Sequence, residues 1–248
     1  MSEHDNKSKV TIEQVSKNIK EYSNVIIGVG IVILVCIVVG LLITIAKAPE
    51  EHTRLPPPLY LLDPTNPYPI RAQVVSQHPK IIIYEDFLTP EECNHMIRIA
   101  EKQGLARSTV AGKTAYDVNQ DRTSFTTSFK KSEDAVIKNI EDRAATLTIF
   151  PPENIENLQV VRYQPGQQYK AHYDFFVPGA EGTEEAVKRG GHRQATMFVY
   201  LNDLDPNDQG GFTEFPKINF KVKPKKGTAV FWMNVKPDGK EDFDTFHA

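Results

Sequence analysis

The 248-residue chain is 40% hydrophobic and 25% charged with a formal net charge of −3, a composition that excludes a disordered or fibrous protein. No basic excess offers the footprint that nucleic acid requires, so no nucleic-acid partner is expected. The two cysteines, Cys36 in an apolar run and Cys93 beyond it, leave the remainder unable to close an internal disulfide and supply no Cys-x-x-Cys pair for zinc or redox chemistry.

From Val25 to Ala46 run 22 residues without a charge and with one hydroxyl, Thr44; sixteen of them are Ile, Leu or Val. At about 1.5 Å per helical residue this run covers a hydrocarbon core of about 30 Å, so a single transmembrane helix is expected. The Ala46-Lys47-Ala48 triplet resembles a signal-peptidase site. The run nevertheless exceeds the ~7–15-residue apolar core of a cleaved signal peptide, which favours an uncleaved signal-anchor. Lys7, Lys9, Lys17 and Lys20 precede the span, against Lys47 and Arg54 behind it. Residues 1–24 should therefore stay cytosolic and the rest face the exterior or a lumen, that of the endoplasmic reticulum in a eukaryote. The Asn6 sequon would then lie on the cytosolic side and stay silent.

Residues 47–79 carry Pro49, Pro56, Pro57, Pro58, Pro64, Pro67, Pro69 and Pro79. That density disfavours helix and reads as an extended stalk. Residues 80–248 remain, enough for one domain with a substantial core. Ile81-Ile82-Ile83-Tyr84 reads as a buried strand. A helix follows, with Thr89 as N-cap, Pro90 in its first position and Glu92 completing a capping box; Cys93, Met96, Ile97 and Ala100 share one face. Ser132 is placed to start a second helix, whose Ile137, Ile140, Ala144 and Leu147 repeat that spacing.

Beyond Leu158 short apolar runs separated by turns dominate: 158–163, 196–201, 218–222 and 228–233. This is the pattern of a β-sandwich or barrel with helices packed outside. The longer polar stretches Arg107–Asp121 and Pro178–Arg193 read as functional loops, expected to close over an extended peptide.

His172-Tyr173-Asp174 places a His and a carboxylate two residues apart, so on extended backbone both leave the same face and can grip one ion. His247, 75 residues downstream, is the candidate third ligand. Two His and one carboxylate leave open positions of the kind non-haem Fe(II) oxygenases use, although spacing alone leaves a catalytic zinc or no metal open.

Around these residues lie Val161-Arg162-Tyr163-Gln164-Pro165-Gly166-Gln167-Gln168-Tyr169, Arg193-Gln194-Ala195-Thr196 leading to Tyr200-Leu201-Asn202-Asp203, Gly210-Gly211-Phe212-Thr213-Glu214-Phe215-Pro216, and Pro224-Lys225-Lys226-Gly227-Thr228-Ala229-Val230-Phe231-Trp232. In order and spacing these stretches resemble the catalytic domain of prolyl 4-hydroxylases, over residues 80–248. The resemblance implies an α+β, mainly β fold. Its core would be a double-stranded β-helix (jelly roll) with N-terminal packing helices, here preceded by a single transmembrane helix.

The resemblance further implies Fe(II) on His172, Asp174 and His247, 2-oxoglutarate as cosubstrate, ascorbate as auxiliary reductant, and a proline-rich or collagen-like peptide as substrate. Tyr163, Tyr200 and Thr196 match positions that contact the cosubstrate, and Arg122 matches one beside the substrate groove. The implied reaction couples decarboxylation of 2-oxoglutarate, giving succinate and carbon dioxide, to hydroxylation at proline C4. For Tyr169 and Tyr173 core packing is the expectation, for Trp232 barrel packing, and for His192 a solvent-exposed side chain.

The family pattern continues past the distal His to a Lys that faces the far carboxylate of 2-oxoglutarate. This sequence stops at Ala248 and is read either as a fragment of a longer protein, truncated just after the distal His, or as a defective product; as written it is expected to lack that cation and to bind 2-oxoglutarate poorly, and Lys225 and Lys226, in a turn, are not assigned its role. Two other readings stand beside the hydroxylase: a same-fold dioxygenase acting on lysine or a small molecule, and a membrane-tethered binding module without turnover. A zinc hydrolase lacks its His-Glu-x-x-His signature. The oligomeric state is not legible in the sequence.

Overall fold

The computed structural model describes residues 55–109, 120–180, 183–208 and 210–248, and for Arg189 the backbone only. The tail 1–24, the apolar span Val25–Ala46 and most of the stretch Arg107–Asp121 lie outside the described residues. No helix among the described residues is long and apolar enough to cross a membrane.

The chain enters through strands β1 (Leu59–Asp63), β2 (Asn66–Gln77) and β3 (Lys80–Glu85), then helix α1 (Pro90–Gln103) and strands β4 (Ala106–Arg107) and β5 (Phe125–Ser128). Helix α2 (Ala135–Thr148), strand β6 (Gln159–Arg162) and helix α3 (Thr183–Gly190) follow. Four strands close the chain: β7 (Ala195–Val199), β8 (Thr213–Phe215), β9 (Phe220–Val222) and β10 (Ala229–Met233). The main sheet has the order β1-β2-β3-β10-β7; β4-β5-β6 and β8-β9 form two smaller sheets, and every pairing is antiparallel.

Strand alternation sorts the core into two compartments. From β10, Ala229 and Phe231 pack with Tyr84, Cys93, Met96, Ile137 and Ile140, sealing the two long helices onto the sheet. Val230 and Trp232, on the opposite face, pack with Ile81, Tyr200, Phe215 and Val222. One strand therefore supplies both the helix-facing core and the interior beside which the functional residues gather.

Helix α1 starts as its sequence dictates: the Thr89 hydroxyl accepts from the Glu92 backbone N–H, the Glu92 carboxylate accepts from the Thr89 N–H, and Pro90 occupies the first turn. The start of α2 differs. Its N-cap is Asp134, whose carboxylate accepts from the Ile137 N–H, while Ser132 takes a positive φ of 51° two residues earlier and bonds Glu141. Aspartate caps as well as serine, and the turn before it consumes Ser132.

The stalk expected at 47–79 is corrected by β1 and β2, which belong to the main sheet. Proline is tolerated because Pro67 and Pro69 occupy the first part of β2, whereas β3 pairs only with Arg71 onward. Their missing N–H groups fall where one side of β2 has no ladder partner, in a stretch whose register with β1 also shifts. The Pro178–Arg193 stretch is corrected too: it holds the helix α3, with Glu184 and Glu185 in its first turn. The strand expected at 218–222 is shorter, because Pro216–Ile218 forms a 3-10 turn and pairing begins at Phe220.

Candidate metal centre

His172 and His247 face each other across a two-residue antiparallel bridge, with His172 N–H donating to the His247 carbonyl at 2.8 Å and His247 N–H to the His172 carbonyl at 3.1 Å. A residue pair locked on both sides brings its side chains to one place, and Asp174, two residues on from His172, joins them there. One ligand atom from each of His172, Asp174 and His247 lies within 4.8 Å of the others. His172 Nε2 is 3.4 Å from Asp174 Oδ1, and His247 Nε2 is 3.6 Å from Asp174 Oδ2. The structure thus brings together the three residues that the sequence singled out.

Both imidazoles are oriented by the backbone two residues earlier. His172 Nδ1 sits 2.9 Å from the Lys170 carbonyl and His247 Nδ1 2.8 Å from the Thr245 carbonyl. A carbonyl only accepts, so each Nδ1 carries a proton and Nε2 is the ring nitrogen that each imidazole turns toward Asp174. That donor set, two imidazole nitrogens and a carboxylate oxygen, fits a divalent metal with open positions.

The electrostatics agree. Burial acts to raise the Asp174 carboxyl, yet the His172 and His247 imidazoles and the Thr196 hydroxyl outweigh it and hold the group well below the usual carboxylate range. Burial pushes His247 down, assisted by His172 and opposed by Asp174. An ionised carboxylate beside a neutral imidazole is the protonation state that metal ligation requires.

The other expected site residues separate. Thr196, on β7, donates to Asp174 Oδ2 at 2.6 Å and accepts from Asn234 Nδ2 at 3.0 Å. Tyr200 is buried, donates to Thr213 Oγ1 at 2.7 Å, and is pushed up to about 12 by burial. Tyr163 is 41% exposed, too open for a packing residue. Arg122 pairs with Tyr169 across an antiparallel bridge, holds its guanidinium carbon 4.8 Å from the Tyr169 ring centre and donates to the Thr109 carbonyl. Trp232 packs in the interior as expected. The exposed side chain expected for His192 is corrected: it is partly buried, its Nε2 lies 3.5 Å from Glu241, and its ring neighbours Phe176.

Sequence reasoning missed two participants. Tyr169, expected to be packing, stacks on the His172 imidazole with ring centres 3.5 Å apart and so backs a candidate ligand directly. Asn234 follows the last residue of β10, where no hydrophobic pattern marks it; its spacing of two from Trp232 is the one signal pointing it at the same interior. Thr228 Oγ1, Trp232 Nε1 and Asn234 Oδ1, all on alternating positions of this stretch, are buried with no hydrogen-bond partner among the described residues. Polar atoms left unpaired on one interior face suit a polar ligand.

On the opposite side of the ligand strand Tyr173 packs against Phe175, Phe243 and Phe246, with Lys217 Nζ 5.6 to 5.9 Å from the centres of the Tyr173, Phe243 and Phe246 rings. This cluster ties the segment carrying His172 and Asp174 to the one carrying His247.

Residues 158–248 match the model of the 2OG-Fe(II) oxygenase superfamily. The chain is 36% identical over 202 residues to probable prolyl 4-hydroxylase 4 of Arabidopsis thaliana, covering 72% of this chain and 65% of that one. It is 37% identical to prolyl 4-hydroxylase 2 of the same plant, covering 72% and 64%. The chain thus spans about 65% of the length of these curated relatives. Among solved structures it resembles the viral collagen prolyl hydroxylase of Paramecium Bursaria Chlorella virus-1 in its 2OG complex, with 30% identity, a TM-score of 0.52, and coverage of 67% of this chain and 85% of that one. The likeness supports the jelly-roll core. With its His-x-Asp and distal His converging inside that fold, the chain belongs to the prolyl 4-hydroxylase family of 2OG-Fe(II) oxygenases.

Proposed function

We propose that this chain carries the catalytic domain of a prolyl 4-hydroxylase that hydroxylates peptidyl proline using Fe(II), dioxygen and 2-oxoglutarate, releasing succinate and carbon dioxide. The observation that carries the reading is the convergence of His172 Nε2, His247 Nε2 and the Asp174 carboxylate, with both imidazoles held in the ligating tautomer. Fe(II) would sit on these three residues and supply the oxidising chemistry, with ascorbate as auxiliary reductant.

The chain's own residues orient and confine. Backbone carbonyls hold the two rings, Thr196 holds the carboxylate, and Tyr169 closes one face of His172. Tyr200, Thr196 and Tyr163 are the candidate cosubstrate contacts, supported by the unpaired polar atoms of the interior. A proline-rich or collagen-like peptide would pass beside Arg122, which the Tyr169 ring links to the centre. Succinate release with proline-rich peptides, against lysine-bearing peptides and no peptide, tests the reading. Release stimulated only by the proline-rich peptide and lost on chelation is expected; release driven only by another acceptor overturns the substrate, and no metal-dependent release at all overturns the enzyme.

We further propose that Val25–Ala46 is an uncleaved membrane anchor with residues 1–24 in the cytosol and the domain in the lumen, supported by the charge-free run and its basic N-terminal flank. Protease treatment of sealed microsomes should leave the domain intact until detergent is added. Digestion without detergent reverses the orientation.

A further inference from the structure

Asp174 presents two oxygens, and the structure treats them differently. Oδ2 accepts the Thr196 hydroxyl at 2.6 Å and lies 3.6 Å from His247 Nε2, while Oδ1 lies 3.4 Å from His172 Nε2. A threonine hydroxyl has one proton, and an ionised carboxylate can only accept, so that proton is committed to Oδ2. Thr196 Oγ1 is thereafter an acceptor, and the group 3.0 Å from it is Asn234. Only the NH2 end of the amide can face such an oxygen, which fixes the Asn234 side chain without appeal to any other contact.

Asn234 is itself held rigidly. Its residue is 0% exposed, its N–H donates to the Gln194 carbonyl at 2.8 Å, and its carbonyl accepts from the Asp242 N–H at 2.9 Å. Its Oδ1 is buried with no hydrogen-bond partner among the described residues. An apolar side chain would avoid leaving that atom unsatisfied, so the amide is not explained by the local fold. It is explained by what its other end does. Gln194 adjoins β7 and Asn234 follows β10, so the amide is fixed by the two strands that frame the centre.

We propose that Asn234 is a positioning residue which, by donating to Thr196, commits the Thr196 proton to Asp174 Oδ2 and leaves Oδ1 as the metal-binding oxygen. This rests on reading His172, Asp174 and His247 as a metal centre. Without Asn234 the Thr196 hydroxyl can rotate and the carboxylate can turn. Thr196, one hydrogen bond removed from Asp174, is a partner of the kind that typically governs metal affinity by roughly 10–100-fold, and Asn234 acts through it.

The test is Mn(II) titration and the visible spectrum of the Co(II)-loaded full-length protein, for Thr196→Val, Thr196→Ser, Asn234→Leu and the Thr196→Val/Asn234→Leu double variant, with His172→Ala as control. Thr196→Val is expected to weaken Mn(II) binding about tenfold or more, and Thr196→Ser to restore it. Asn234→Leu should weaken binding on its own but add nothing in the Thr196→Val background, because it acts only through that hydroxyl. Equal weakening by Asn234→Leu in both backgrounds, or unchanged affinity in the single variant, overturns the proposal. If Asn234→Leu does not fold, Asn234→Asp decides: its carboxylate competes for the Thr196 proton, so a shifted Co(II) spectrum is expected, and a wild-type spectrum overturns the relay. Wild-type protein that binds no more Mn(II) than His172→Ala would instead overturn the metal centre, and the relay with it.

Discussion

Arg143 grips Glu92 through two parallel hydrogen bonds, Nη1 to Oε2 and Nη2 to Oε1, each 2.9 Å long. Its remaining donors reach Asp63 Oδ2 at 2.9 Å, the Phe87 carbonyl at 2.8 Å and Thr65 Oγ1 at 2.8 Å. All five guanidinium N–H groups are therefore satisfied, and the side chain is 1% exposed. Helix α2 is joined in this way to the capping carboxylate of α1 and to the turn between β1 and β2. Removing the cation strands two carboxylates in a buried setting, which costs roughly 3–5 kcal/mol. Arg143→Leu should lower the urea midpoint by that equivalent, and a loss below about 1 kcal/mol would show the network to be dispensable.

The same network sets a pH dependence. Burial acts to raise the Asp63 carboxyl, but hydrogen bonds from Thr65 and the Arg143 guanidinium outweigh it and leave the group below its ordinary value. A carboxylate depressed on folding contributes stability that is present above the unfolded-state value, about 4, and is lost as the pH falls through the lower folded value. Stability should therefore decline on the acid side. Asp63→Asn should be less stable at pH 7 and should show a flatter decline below about pH 4. Parallel acid profiles for the two proteins would remove Asp63 from the account.

Much of this was legible because it is local. Thr89, Pro90 and Glu92 announce their helix through bonds made within three residues, and the spacing of His172 and Asp174 places both on one face wherever the backbone is extended. What the sequence hid depends on partners far along the chain. Pro67 and Pro69 argue against a strand unless one knows that β3 pairs only from Arg71 onward. Glu92 reads as a cap, and nothing near it announces Arg143, 51 residues away. Asn234 has a role only because Thr196 lies across the pair β7 and β10.

Each candidate ligand can be removed singly. His172→Ala, Asp174→Ala and His247→Ala should each abolish metal-dependent turnover and weaken Mn(II) binding by about a hundredfold or more, since an outer partner alone accounts for 10–100-fold. Near-normal turnover in any one of them would withdraw that residue from the centre.

Tyr169 offers a subtler measurement. Its ring covers the His172 imidazole at 3.5 Å and is itself covered by the Arg122 guanidinium at 4.8 Å. Stacking of this kind contributes roughly 0.5–1.5 kcal/mol beyond burial. Tyr169→Phe should keep it, whereas Tyr169→Leu should weaken Mn(II) binding by up to about tenfold, the binding equivalent of that energy. Equal affinities for the two variants would mean that the ring merely fills space.

Among the described glycines, Gly227 is the one whose surroundings leave least room for a side chain. Its φ is +80°, its carbonyl accepts from the Leu88 N–H at 2.9 Å, and its own N–H donates to the Tyr200 carbonyl at 2.8 Å. A Cβ added there would press into the Leu88 carbonyl oxygen, a backbone atom that cannot rotate away. Gly166 has the same φ of +80° but open space around the added carbon. Gly166→Ala should therefore cost only the left-handed penalty of roughly 1–2 kcal/mol. Gly227→Ala should cost that and the clash, an additional ~1–3 kcal/mol of the kind seen when a packed interior is overfilled. The urea midpoint of the second variant should therefore fall below that of the first by this additional margin. Equal losses of stability in the two proteins would show that the contact with Leu88 relaxes freely.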